Sequence, residues 1–187
     1  MRAVLPLFAL LAAPAHAVDF EAGIDLDAAF AMGEGVSGPG GGGTARLGIG
    51  PDPIEIGPAG LSIMFEVAGS YWRFPSATAN DTDMIRALGG LRFIYTILWI
   101  RPPAGEGGRG RGIRLDFPFA VRGGAGSLDL GSNWTPTADG SVGLAIGFLP
   151  VQIGLHVGAG GISSSANVEA LQGAAWINAG VDLGVVF

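Results

Sequence analysis

The chain has 187 residues, no cysteine and no lysine, and its ten arginines are outnumbered by sixteen acidic residues. Without cysteine there is no disulfide, thiolate nucleophile or cysteine-based metal site, and a net charge of −6 argues against neutralising nucleic-acid phosphates. Charged residues are 14% of the chain beside 49% hydrophobic residues and 34 glycines, which argues against disorder and against an ordinary soluble surface.

Residues 1–17 read as a cleaved secretory signal peptide. Arg2 gives a positive start, an apolar run follows, and Ala15-His16-Ala17 is a small-x-small cleavage pattern. The run is too short to cross a bilayer as a helix. Residues 18–187 are then expected to form one domain.

Segment 20–32 alternates. Phe20, Ala22, Ile24, Leu26, Ala28, Phe30 and Met32 fall on one side, Glu21, Asp25 and Asp27 on the other. A period of two is the signature of a β-strand between two different surroundings. Residues 33–43 (GEGVSGPGGGG) read as a flexible loop. A phosphate-binding glycine loop would need a lysine that the chain lacks. Segment 44–50 alternates again around Arg46, 51–53 turns, and 54–60 is a connection or a strand extension.

Segment 61–71 sets Leu61, Ile63, Phe65, Val67 and Tyr71 against a face carrying Glu66. Tyr71, Trp72 and Phe74 cluster at its end, as in an interfacial aromatic girdle or a patch packed under a loop. Residues 75–83 are a polar loop. Segment 84–100 places Leu91, Phe93, Tyr95, Ile97 and Trp99 on one face and Arg86 and Arg92 on the other. Residues 101–112 form a turn-rich connection.

Segment 113–122 alternates most sharply, with Arg114, Asp116 and Arg122 opposite Ile113, Leu115, Phe117, Phe119 and Val121. Pro118 predicts a bulge or a missing ladder bond there. Residues 123–139 read as a loop, with Trp134 exposed or folded over an opening. Segments 140–149 and 151–160 alternate on either side of a turn at Pro150, and parity turns His156 inward. After a loop at 162–173, segment 174–187 closes the chain with Ile177, Ala179, Val181, Leu183, Val185 and Phe187 on its apolar face.

Eight such segments of about ten residues each match the length of tilted strands that cross a bilayer. The expected fold class is all-β: a single eight-stranded antiparallel up-and-down transmembrane β-barrel. With its signal peptide, its alternating segments and a terminal Phe187 preceded by apolar residues at alternate positions, the chain resembles the small OmpA- or OmpX-like outer-membrane β-barrels of Gram-negative bacteria. The resemblance implies a monomer in the outer membrane. Its partners would be outer-membrane lipid and the barrel-assembly machinery, which would read Ala179, Val181, Leu183, Val185 and Phe187. Tyr71, Trp72, Trp99 and Trp176 are expected as interfacial aromatics. No internal motif of a particular family is recognisable.

The inward positions collect Glu21, Asp25, Asp27, Glu66, Asp116 and Asp182 with Arg46, Arg86, Arg92, Arg114 and Arg122. An eight-stranded barrel is just wide enough for side chains to fill, and buried charges must be paired. An ion-pair network filling the lumen is the simplest reading, and a narrow polar pore is the alternative. A lipid-modifying enzyme is a third. It would need a nucleophile beside a base, yet Gly158 stands where a serine two residues after His156 would be expected. No metal ligand cluster, cofactor motif or nucleic-acid surface is visible.

Overall fold

A computed structural model describes residues 18–33, 36, 38–57, 59–75, 81–100, 112–128, 130, 133–148, 150–163 and 173–187. The signal-peptide region and most of the 101–112 connection lie outside these residues. The strands are β1 (Val18–Gly33), β2 (Gly38–Pro51), β3 (Ile54–Ile56), β4 (Ala59–Phe74), β5 (Thr82–Ile100), β6 (Ile113–Ser127), β7 (Thr135–Phe148), β8 (Val151–Ile162) and β9 (Ala174–Val186).

Each long strand pairs antiparallel with its neighbours, β2 with β4 and β1 with β9, so the eight long strands close into a barrel. Closure gives each of the eight long strands a partner on both edges, which an open sheet in lipid could not do. The seam runs from Glu21 opposite Val186 to Gly33 opposite Ala174. Phe187 extends it: its N–H donates to Phe20 O at 2.8 Å. The three residues of β3 pair with the start of β4, which makes part of the ambiguous 54–60 stretch a strand extension.

The alternation sorts the two surfaces. In β4 the burial switches at nearly every residue, from exposed Phe65 and Val67 to buried Met64, Glu66 and Ala68. Large apolar side chains such as Leu26, Leu47, Phe65 and Leu155 are more than half exposed on the outer wall. Eleven charged residues, Arg46, Glu66 and Asp116 among them, are buried inside. This inverts the arrangement of a soluble domain and fits a hydrocarbon surround.

Three boundaries depart from the sequence reading. β2 begins at Gly38, inside the expected glycine loop, and pairs Gly38–Gly43 with β1. β6 runs on to Ser127 and β7 starts at Thr135, so the expected 123–139 loop is mostly strand. Glycine and alanine carry no alternation signal, which is why these ends read as loops. A register shift lies between Thr96 and Leu98 of β5. It places Ile97 and Leu98 both outward and turns Trp99 toward the interior, so Trp99 is not the lipid-facing residue that strict alternation implies. Pro118 stays in register with Ile94, but the β6–β7 ladder is interrupted between Asp116–Ala145 and Phe119–Val142. That is the missing bond expected of a proline with no N–H.

Candidate functional site: the barrel interior

Inward glycines make the interior possible. A Cβ at Gly23 would lie 2.6 Å from the Arg46 guanidinium, and one at Gly154 would lie 2.3 Å from an Asp182 oxygen. Gly158 leaves room for Asn178, and Gly180 for Asp27 and His156. These glycines are thus the imprint of polar side chains that lean over their paired residues on the neighbouring strands.

All eleven inward charges named from the sequence are buried, none more than 8% exposed. Arg46 bonds to Glu21, reaches Asp25 at 3.1 Å and reaches Asp182 at 3.4 Å. Asp25 and Asp182 stand directly opposite each other on β1 and β9, and like charges so placed repel unless a cation sits between them. Arg46 is that cation. Arg92 links Glu21 at 3.5 Å to Glu66 at 3.6 Å. Arg122 links Glu66 at 3.2 Å to Asp139 at 2.7 Å, and Asp139 ends on Arg86 at 2.7 Å. The string Asp25–Arg46–Glu21–Arg92–Glu66–Arg122–Asp139–Arg86 therefore alternates in sign through the interior across six strands.

Two side groups flank it. Asp116 accepts from Arg114 Nε at 2.5 Å, Thr96 Oγ1 at 2.7 Å and Gln152 Nε2 at 3.0 Å. Asp27 accepts from Asn178 Nδ2 at 2.6 Å and lies 2.8 Å from His156 Nε2. Between these groups a polar cavity of about 10 Å³ is lined by Asp25, Arg92, Ser141, His156 and Asp182. That is room for about one water molecule. Arg92 Nε and Nη2 have no hydrogen-bond partner among the protein atoms.

The end of the barrel away from the termini is filled differently. Trp72 and Trp176, 1% and 2% exposed, meet edge to face with ring centroids 5.9 Å apart. Phe74, Met84, Leu128, Ile162 and Val36 pack around them. The Arg86 guanidinium lies 4.6 Å and 4.8 Å from the two indole rings, so the charge string ends on two cation–π contacts. Trp72 and Trp176 are thus not interfacial aromatics. Both occupy inward-parity positions, beside outward Tyr71 and Ile177, and they fill an apolar layer at this end of the barrel. Tyr71 does lie on the outer wall, 46% exposed, where its hydroxyl donates to Asp83 at 2.5 Å. Of the C-terminal set, Val181, Leu183 and Phe187 are exposed on the outer wall, as is Ala179, and Val185 is half-buried.

The chain has the fold of the small outer-membrane β-barrels. Its structure matches Neisserial surface protein A with a TM-score of 0.52 at 16% identity, over 89% of this chain and 96% of that one. It also aligns with the outer membrane enzyme PagL (TM-score 0.47, 14% identity, 87% and 98% coverage). A third alignment is with the N-terminal β-barrel domain of Pseudomonas aeruginosa OprF (0.30, 17%, 88% and 97%). No protein-family model matches the sequence, and no curated protein does.

Sequence reasoning missed Asp139, the shared partner of Arg86 and Arg122, because it fell in an expected loop. Its parity with the inward Ser141 is the signal that would have placed it. Among the described residues no group of His, Asp and Glu is arranged to hold a metal ion.

Proposed function

We propose that this chain is an exported, monomeric outer-membrane β-barrel with a closed lumen, serving a structural or surface-interaction role. Residues 1–17 would be its signal peptide, and the terminus-bearing end would face the periplasm. Lipid would contact the outer wall, and the assembly machinery would engage β9. The observation that carries this reading is the filling of the interior: an alternating string of buried ion pairs ends on the Trp72–Trp176 layer. His156 is bound into this interior by Asp27, which favours a structural role for it over a catalytic one.

A narrow polar pore is the second reading. It is favoured by Arg92, which lines the one-water cavity and whose Nε and Nη2 make no hydrogen bond to a protein atom. Conductance in planar bilayers separates the two. A closed barrel gives no discrete current steps, and Trp72→Ala combined with Trp176→Ala should leave the charge layer still sealed. Steady unitary conductance of the wild type would replace the structural reading with the pore.

A further inference from the structure

The outer wall carries a concavity that the closed interior does not explain. The register sets Ile24, Ala45, Gly69 and Ala87 side by side on β1, β2, β4 and β5. From Ala45 through Gly69 to Ala87 the outward side chains shrink to a methyl group or nothing, beside the projecting Ile24. In the row nearer the termini Leu47 and Val67 project, each about 60% exposed, with Val185 of β9 in the same row beyond Ala22, while Leu183 stands opposite Ile24. The result is a groove of about 1060 Å³ on the outer wall. A second groove of about 540 Å³ shares Ala22, Leu47 and Val67 with it and runs out between Phe20, Phe65 and Phe187.

We propose that this continuous groove holds one acyl chain of a glycerophospholipid whose headgroup lies at the terminus-bearing rim. The proposal rests on the membrane-spanning reading above. No outward-facing side chain along the groove is charged, and the surrounding wall is apolar. A protein partner would find no polar rim to fix its register, whereas hydrocarbon needs none. A flexible chain also gains close contact along both walls of a channel, where a rigid neighbour would touch only the ridges. The headgroup end follows from where the groove opens. Phe20 and Phe187, 51% and 74% exposed, flank that opening at the end of the barrel where β1 begins and β9 ends, and girdles of aromatic residues mark the interfaces of such barrels.

The full chain, reconstituted in phosphatidylethanolamine vesicles, can be photolabelled with phosphatidylethanolamine bearing a diazirine in mid-chain. Label should concentrate on β2, β4 and β5 and be sparse on the opposite wall at Leu144 and Leu155. Moving the diazirine next to the headgroup should shift the label towards Phe20 and Phe187. Even labelling around the wall overturns the groove. Headgroup-proximal labelling at Gly69 and Ala87 overturns the leaflet. Gly69→Leu with Ala87→Leu fills the channel, and a Cβ at Gly69 meets no atom closer than 4.0 Å, so the site accepts it. The filled variant should lose the preferential label. Retained preference in a folded variant overturns the proposal. Failure of the wild type to enter vesicles as a folded barrel would instead refute the membrane reading.

Discussion

Arg46 carries more of the interior than any other single side chain. It faces Glu21, Asp25 and Asp182, and its own side chain is 1% exposed. Removing one partner from a buried ion network costs about 3–5 kcal/mol, because the remaining charges stay desolvated. Arg46→Leu leaves three carboxylates facing each other and should lose stability on that scale, read as a lower urea midpoint in detergent micelles. Arg73 is the control. It also bonds an aspartate, Asp81 at 2.5 Å, but it is 55% exposed on the outer rim. Arg73→Leu should leave the midpoint where it is, since exposed pairs contribute little. Glycine positions are the complementary case. A Cβ at Gly42 would sit 2.2 Å from Tyr71 O and 2.5 Å from the Trp72 ring. Gly42→Val should therefore displace Trp72 and raise its quenching by acrylamide, while Gly43→Val, with a nearest approach of 3.2 Å, should disturb it less.

At the scale of the strand, β9 and its partner β1 decide whether the ring closes. Phe187 adds backbone bonding to Phe20 beyond the end of β9. Deleting Phe187 should reduce the folded fraction recovered in outer-membrane fractions; normal recovery would remove any need for that residue in assembly. This scale also shows what was readable beforehand. Segments with bulky outward residues, such as 20–32 and 113–122, announced themselves because each apolar side chain alternates with a charged or small one. The glycine ends of β2 and β6 did not, since their strand character rests on rings and guanidiniums supplied by other strands. The buried charges were legible from parity alone. Their pairing was not, because it depends on how the barrel brings β2 to β9 and β5 to β7 across its interior. For Trp72 and Trp176, parity outweighs composition: an aromatic near a strand end suggests an interface, but its side of the strand decides, and both are buried inside.

For the whole molecule, the eight-strand ring predicts resistance of the folded state to detergent at room temperature and a mobility change on boiling. Equal mobility of boiled and unboiled samples would contradict a closed barrel. Among the described residues the interior divides into a polar length and an apolar end.

The pair formed by Trp72 and Trp176 gives this closure a clock. The two residues are far apart in the chain, on β4 and β9, yet their rings touch edge to face. They can meet only after the last strand has come round to the first. Their coupled near-ultraviolet circular dichroism should therefore arise late in refolding, after the far-ultraviolet strand signal. Its appearance would mark the moment at which a curled sheet becomes a closed ring.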